Sequence, residues 1–175
     1  IPETIWKHRV CLVVHPGIVG DRGPSALDWA LQEGAAAWGV TVLQAEAEMD
    51  AGPVWASATF PMRRAKKSSI YRNEVTEAAV HAVLVAVDRF TAGNFTPRRV
   101  PGSAYLPLRQ AERAIDWQAE PTAAIFAKLN AADGFPGVAG ELFGQREMLW
   151  AMRDASFGSA FSALTTSTQS SACRW

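Results

Sequence analysis

The sequence has few cysteines, no excess charge of either sign and no long apolar run. Its 175 residues include two cysteines, Cys11 and Cys173, at opposite ends of the chain, which argues against a disulfide framework and favours a reducing cytoplasm. Seventeen Lys and Arg residues balance seventeen Asp and Glu residues, so neither a nucleic-acid partner nor a membrane surface is expected. No apolar run reaches the ~20 residues that a membrane-spanning helix needs. There is no signal peptide, and because the sequence begins with Ile1 rather than Met, we expect a fragment of a longer gene product.

Short apolar runs and helical patterns alternate along the first half of the chain. Residues 9–14, which are apolar and mostly β-branched, predict a buried strand that contains Cys11. A helix is expected over residues 25–34. Residues 39–45 and 54–60 predict two further strands, which are close enough in sequence to pair antiparallel. This order of elements is typical of an α/β fold, with a central sheet flanked by helices.

A long helix is expected to follow over residues 69–90, with Ser69 as its N-cap. Its second half, residues 78–87, is apolar almost all round apart from His81. Such a pattern predicts that this half lies deep against the sheet. We therefore interpret His81, on a buried helix face, and His8, near the start of the chain, as structural histidines.

The second half of the chain changes character after Gly93. Residues 94–110 are rich in proline and predict an extended connection, after which a short helix with Pro121 in its first turn is expected. Residues 132–144 predict a turn and then the opening strand of a new unit. The last segment, 158–175, is rich in Ser, Thr and Ala without usable periodicity, so a disordered or non-native tail is expected.

Two ionisable side chains, those of His15 and Asp50, follow the predicted strands. Open α/β sheets place their chemistry at such strand ends, and an imidazole beside a carboxylate can work as a general acid–base pair. If the strand ends converge, the polar atoms of the two side chains should lie within about 8 Å of one another. Each residue also has a structural interpretation, His15 as a strand-end histidine bonded to a backbone carbonyl and Asp50 as a turn aspartate bonded to its own backbone.

Four sequence motifs carry a resemblance to a known family. They are H-P-G-I-V-G-D-R-G-P-S-A-L-D-W-A-L from His15, W-G-V-T-V from Trp38, E-M-D-A-G-P-V-W-A from Glu48 and F-P-M-R-R-A-K-K-S-S-I-Y-R from Phe60. In this order they resemble the catalytic half of the 10-formyltetrahydrofolate-dependent formyltransferases. The resemblance covers about residues 8–144, and the first and last motifs are most similar to the branch of hydrogenase maturation factors.

For the fold, the resemblance implies a partial Rossmann-like formyltransferase domain over residues 1–93 and a linker over residues 94–118. Residues 119–157 would form the start of a small β-barrel-type C-terminal subdomain, of which only the first strand fits, and residues 158–175 the tail. The family's amino-terminal half would be missing, which would leave one edge of the sheet uncovered.

For the site, the resemblance implies that His15 hydrogen-bonds the developing oxyanion as an imidazolium. Asp50 would hold that charged form and relay a proton. The formyl donor would be 10-formyltetrahydrofolate, and no metal is implied. The pteridine ring of the donor would meet the backbone of Glu46, Ala47, Glu48 and Met49.

The hydrogenase-maturation branch further implies coenzyme A as the formyl acceptor and hydrogenase maturation proteins as partners. The formyl group would become the carbon monoxide ligand of a nickel–iron centre. A basic run would then contact the phosphates of coenzyme A or form a solvated turn; it comprises Arg63, Arg64, Lys66 and Lys67. Two alternatives stay open: a different acceptor, such as an amino sugar or the initiator tRNA, and a non-catalytic remnant or interaction module.

Val13 departs from the family pattern. The family usually has an asparagine two residues before the histidine, and a valine cannot donate the hydrogen bond that this amide would give to the formyl oxygen. One oxyanion donor is therefore absent or comes from elsewhere. Next to the site, Asp21 and Arg22 are expected to form a surface ion pair, although Arg22 could also shape the loop over the site.

Overall fold

The structure is a computed structural model that describes residues 1–104, 107–134, 137–142 and 144–149. The strands are β1 (Leu12–His15), β2 (Asp21–Arg22), β3 (Ala37–Gln44), β4 (Val54–Pro61), β5 (Ser103–Ala104), β6 (Val138–Leu142) and β7 (Gln145–Leu149). The helices are α1 (Glu3–Trp6), α2 (Ala26–Gln32), α3 (Lys67–Ile70), α4 (Thr76–Ala92), α5 (Gln110–Arg113) and α6 (Thr122–Ala131). A π-helical turn, Tyr71–Val75, joins α3 to α4 without a break.

A three-stranded sheet in the order β1-β3-β4 positions the rest of the molecule, and both strand pairs are antiparallel. The predicted strands over residues 39–45 and 54–60 correspond to β3 and β4, and their antiparallel pairing is confirmed. At the other side of β3, His15 lies opposite Thr41. The last residue of β1 is therefore held at a fixed place beside the middle of β3.

The prediction of a buried strand over residues 9–14 is wrong in its bounds and its burial. β1 begins at Leu12, and Val10, Cys11 and Val14 are exposed or half-buried. The reason is that β1 has one neighbouring strand among the described residues and so forms an edge of the sheet. An apolar run does not distinguish an edge strand from a central one.

Helices α2 and α4 pack against the same face of the sheet. Trp38 and Val40 of β3 and Phe60 of β4 point to this face and form one buried cluster with residues of α2, which are Ala26, Leu27, Ala30 and Leu31. Val42 and Ala56 continue the same face toward α4. Burying a side chain of the size of Leu27 stabilises a fold by about 1.5–3 kcal/mol, so this layer holds the sheet and the helices together.

Asp28 ties α2 to two other helices. Its Oδ1 atom lies 3.0 Å from Lys67 Nζ in α3 and 3.0 Å from Arg113 Nη2 in α5. Burial raises the pKa of the nearby Tyr71 hydroxyl, and the negative charge of Asp28 adds to that effect. Asp28 is thus a buried carboxylate with two cationic partners, and its role is in the fold.

The long helix predicted over residues 69–90 is present, but its start and its burial differ from the prediction. Lys66 is the N-cap, so Ser69 lies within α3 rather than at its cap. In α4 the buried side chains are small and spaced by four residues, Ala78, Ala82 and Ala86. The large side chains of Val80, Leu84 and Phe90 are each more than half exposed, and His81 is exposed as well. When a helix is apolar all round, its sequence does not show which face is buried. Here the face with the alanines is buried, because small side chains allow the closest approach to the sheet.

The described part of the C-terminal region consists of α6 and a hairpin. The predicted helix after Pro121 corresponds to α6, and its Leu129 is buried with Ile115 and Val138. β6 and β7 pair antiparallel, so two strands are present where one was expected. The predicted tail over residues 158–175 lies outside the described residues. Among the helices that the structure describes, none has the length and apolar character needed to cross a membrane.

The packing of α4 against the sheet predicts a difference between two enlarging substitutions. Ala82→Leu should lower the free energy of unfolding by about 1–3 kcal/mol, because extra methylene groups at a fully buried position must displace β3 and β4. Val80→Leu, on the exposed side of the same helix, should change it by less than about 0.5 kcal/mol. Urea denaturation of both variants measures the difference. Equal losses would contradict this placement of the helix.

Candidate active site

His15 is the last residue of β1, and its side chain is 3% exposed. Because side chains alternate along a strand, the imidazole shares a face of the sheet with Val13 and with Thr41 on β3. This face lies opposite the one that α2 and α4 cover. The chain then turns back over the imidazole, since the loop after His15 leads into the two-residue strand β2.

The loop from Pro16 to Gly20 is fastened to β3 by two hydrogen bonds. Trp38 Nε1 donates to the carbonyl of Pro16 at 3.0 Å, and the buried Thr41 hydroxyl donates to the carbonyl of Gly17 at 2.8 Å. The loop closes with a turn in which the Asp21 N–H donates to the Ile18 carbonyl at 2.9 Å. These contacts bring Asp21 back to the histidine from which the loop started.

Asp21 bonds to His15, and the expected surface ion pair with Arg22 is not formed. Asp21 Oδ2 lies 2.6 Å from His15 Nε2, and the aspartate side chain is 1% exposed. Arg22 instead pairs with Glu48 at 2.9 Å, which links the loop to the segment before Asp50. Sequence reasoning missed Asp21 because an acid beside an arginine on a short loop is usually a solvated pair. The available signal was Gly17, because a glycine in a tight loop leaves room for two other side chains to approach one another.

Gly17 leaves room for the bond between Asp21 and His15. A Cβ atom at this position would lie 2.2 Å from Asp21 Oδ2 and 2.3 Å from His15 Nε2. Both distances are far below van der Waals contact, so any side chain here would separate the two groups. The glycine of the H-P-G motif is therefore required by the buried hydrogen bond.

Asp50 approaches the other ring nitrogen of His15. Its Oδ2 atom lies 3.4 Å from His15 Nδ1 and accepts a hydrogen bond from the Gly23 N–H at 3.1 Å. The prediction that the two polar groups lie within about 8 Å is confirmed. Asp50 has a backbone φ of 54°, a left-handed conformation that Asp and Asn tolerate better than most residues. The hydrogen bond to Gly23 crosses the site, in contrast to the bond to its own backbone that a turn aspartate would make.

The histidine thus sits between two carboxylates in a nearly water-free position. The side chain of Asp50 is 10% exposed, against 1% for Asp21, so Asp50 is the member of the group that solvent reaches. A buried carboxylate without a partner is costly, and each of these two carboxylates has one ring nitrogen of His15 as a neighbour. Such a group can hold a positive charge beside a reacting atom and exchange a proton through Asp50.

The segment predicted to meet the folate lies at the surface beside this group. Ala47, Glu48 and Met49 are exposed, and Glu46 is half-buried and paired with Arg99. A cavity of about 430 Å³ opens here, lined by residues from α1 and from the end of β3 onward, namely Trp6, Lys7, Gln44, Ala45, Glu46, Ala47 and Arg99. The backbone of the segment is therefore accessible to a ligand on one side.

The basic run after β4 is divided between bound and unpaired cations. Arg63 donates hydrogen bonds to Glu74, which lower the pKa of that carboxyl, and Lys67 bonds to Asp28. Arg64 and Lys66 have no carboxylate partner among the described residues, and both line a cavity of about 820 Å³ between α2 and α6. Residues of α2 and α6 line this cavity, and His15, Asp21 and Asp50 are not among its lining residues.

Comparison with known proteins supports the resemblance seen in the motifs. Residues 2–87 match the formyl transferase family. The hydrogenase maturation factor HoxX of Bradyrhizobium diazoefficiens is 52% identical over 164 residues, which is 89% of this chain and 28% of HoxX. A methionyl-tRNA formyltransferase of Burkholderia pseudomallei is 30% identical over 158 residues, which is 86% of this chain and 48% of that enzyme.

Among solved structures, HypX from Aquifex aeolicus in complex with tetrahydrofolic acid is similar to this chain. It has a TM-score of 0.80 and 44% sequence identity, and the match covers 86% of this chain and 27% of HypX. The expected formyltransferase α/β fold is confirmed by this match. The chain spans little more than a quarter of the length of HoxX and of HypX.

The backbone conformation of Asp50 predicts different stabilities for two variants. Asp50→Asn keeps a side chain that tolerates positive φ and can still accept the Gly23 hydrogen bond. Asp50→Ala loses that bond, and alanine lacks the polar side chain that makes the left-handed conformation tolerable for Asp and Asn. Its free energy of unfolding should therefore be about 1–3 kcal/mol below that of Asp50→Asn. Urea denaturation of the two variants measures this. Equal values would show that neither the backbone strain nor the bond matters.

Proposed function

We propose that this chain, which belongs to the formyl transferase family, carries the reaction centre of a transferase that takes its formyl group from 10-formyltetrahydrofolate. The observation that carries the proposal is the buried imidazole of His15 with Asp50 beside it, 3.4 Å from Nδ1 to Oδ2.

The chemistry assigns one role to each of the two groups. The acceptor atom attacks the formyl carbon, a new bond forms, and the formyl oxygen takes the negative charge. The charged ring of His15 stabilises that oxygen, a type of contribution worth about 3–4 kcal/mol of barrier. When the bond to N10 of the folate breaks, the proton lost by the acceptor passes to N10, and Asp50 is placed to relay it because it is the solvent-facing carboxylate of the group.

The folate contacts follow from the position of residues 46–49. Glu46 and Ala47 line the cavity of about 430 Å³, and Glu48 and Met49 lead directly to Asp50. We expect a folate whose pteridine binds the backbone of this segment to place its N10 atom on the side of Asp50, because Asp50 directly follows the segment. The similarity to HypX, whose structure was solved with tetrahydrofolic acid, supports a folate donor.

For the acceptor, we propose coenzyme A. Arg64 and Lys66, which have no carboxylate partner among the described residues, offer positive charge on the cavity of about 820 Å³ between α2 and α6. Such charge suits the phosphates of an elongated anionic acceptor. The similarity to a hydrogenase maturation factor supports a role in supplying the carbon monoxide ligand of a nickel–iron hydrogenase, in the cytoplasm and with other maturation proteins as partners.

One observation favours the alternative of a non-catalytic remnant. Val13 shares the face of His15 and cannot donate a hydrogen bond to the formyl oxygen. If the remnant interpretation is correct, the chain keeps the fold and the buried charge group without transferring a formyl group. Measuring transfer separates the two functions.

Replacing the histidine tests the proposed reaction centre. His15→Ala should lower the turnover of formyl transfer by about 10²- to 10³-fold and leave folate binding nearly unchanged, because the imidazole acts on the transition state. Formyl transfer from 10-formyltetrahydrofolate and folate binding are measured on the same preparations. Asp133→Asn serves as the control. It replaces a carboxylate that accepts a hydrogen bond from the Ser68 N–H and is not part of the group around His15. Full transfer by His15→Ala would end this assignment.

Replacing the unpaired cations tests the acceptor. The double variant Arg64→Ala with Lys66→Ala should raise the KM for coenzyme A by about tenfold and leave the KM for the folate unchanged, because it removes charge from one cavity only. Arg72→Ala, which removes an exposed cation bonded to Ser68, is the matched control. Transfer to an amino sugar or to initiator tRNA, with none to coenzyme A, would show a different acceptor.

A further inference from the structure

The two carboxylates around His15 are not equivalent. Asp21 is at hydrogen-bonding distance from Nε2, 2.6 Å, whereas Asp50 lies 3.4 Å from Nδ1. The Asp21 side chain is almost fully buried and the Asp50 side chain is partly open to solvent. The Nε2 edge of the ring is therefore closed by a buried carboxylate, and the Nδ1 edge meets the carboxylate that is partly open to solvent.

A hydrogen bond at one ring nitrogen determines what the other nitrogen can do. When Nε2–H donates to Asp21, the proton that the ring exchanges with its surroundings must be the one at Nδ1. An orienting carboxylate on the far side of a histidine has the same effect in other acid–base groups, where it fixes both the tautomer and the ring angle.

We propose that Asp21 is a positioning residue for His15: it holds Nε2–H and so directs Nδ1 toward Asp50 and the substrate. This inference rests on the proposed function, in which His15 and Asp50 act on the formyl group. Asp21 itself does not touch the substrate.

The cost of placing Asp21 here argues against a purely structural role. Its Oδ1 atom is buried and has no hydrogen-bond partner within the described part of the chain, and such a group lowers stability. The bond also requires glycine at position 17. Asp28 provides the contrast, since its buried carboxylate is paired with Lys67 and Arg113 and joins three helices.

The ring protons of His15 in the ¹⁵N-labelled chain test the proposal directly. In the unmodified chain, the Nε2 proton should exchange slowly with water, and the signal is assigned by its loss in His15→Gln. In Asp21→Ala, this proton should exchange at least about tenfold faster, because its acceptor is gone. Asp21→Asn, which keeps an acceptor oxygen of the same shape, should restore most of the protection. Asp28→Asn should leave the His15 signals unchanged while lowering the thermal stability.

The same variants give a kinetic measurement. Asp21→Ala should lower kcat for formyl transfer by about 10²-fold with the KM for the folate within about twofold, and Asp21→Asn should recover part of that loss. If the unmodified chain transfers no formyl group, the proposed function is wrong. The exchange rate of the His15 Nε2 proton would still decide whether Asp21 positions the ring. Unchanged Nε2 exchange in Asp21→Ala, or loss of protection in Asp50→Asn instead, would overturn the proposal. So would a loss of kcat in Asp28→Asn equal to that in Asp21→Ala.

Discussion

Burial of an imidazole between two carboxylates sets the conditions that the surrounding structure meets. Carboxylates removed from water need a partner, so Asp21 and Asp50 must both reach the same ring. That requirement explains the tight loop after β1 and the hydrogen bonds that fasten it to Trp38 and Thr41. It also explains why an aspartate is kept at a strained backbone position. The sheet serves this group by holding the end of β1 against the middle of β3.

The parts of the fold that were predictable from sequence are those with a local physical signal. β3 and β4 follow from apolar runs of strand length, and α2 follows from its helical spacing and the glycine after it. His15 and Asp50 are predictable as neighbours because each follows a predicted strand and lies in a motif that carries the family resemblance. Asp21 was not, because the hydrogen bond that defines it depends on the path of a loop, which no pattern of neighbours reveals.

The burial of α4 and β1 was mispredicted for a related reason. Composition states that a segment is apolar, but not which of its sides meets the core. In α4 the small side chains face the sheet and the large ones face outward. The short distance between helix and sheet leaves room only for small side chains between them. In β1 the apolar run lies at an edge. Both outcomes depend on which elements are neighbours in space, and that is a property of the whole fold.

The close approach at Gly17 has a consequence for how this loop can change over generations. Because a Cβ atom there would occupy the space of the bond between Asp21 and His15, the effects of substitutions at the two positions depend on one another. An acid at position 21 is useful only in a background that already has glycine at position 17. Once such an acid is in use, the glycine is fixed by it. The bond to His15 therefore forms only in a loop that has both residues, so glycine and aspartate at these positions act as a pair.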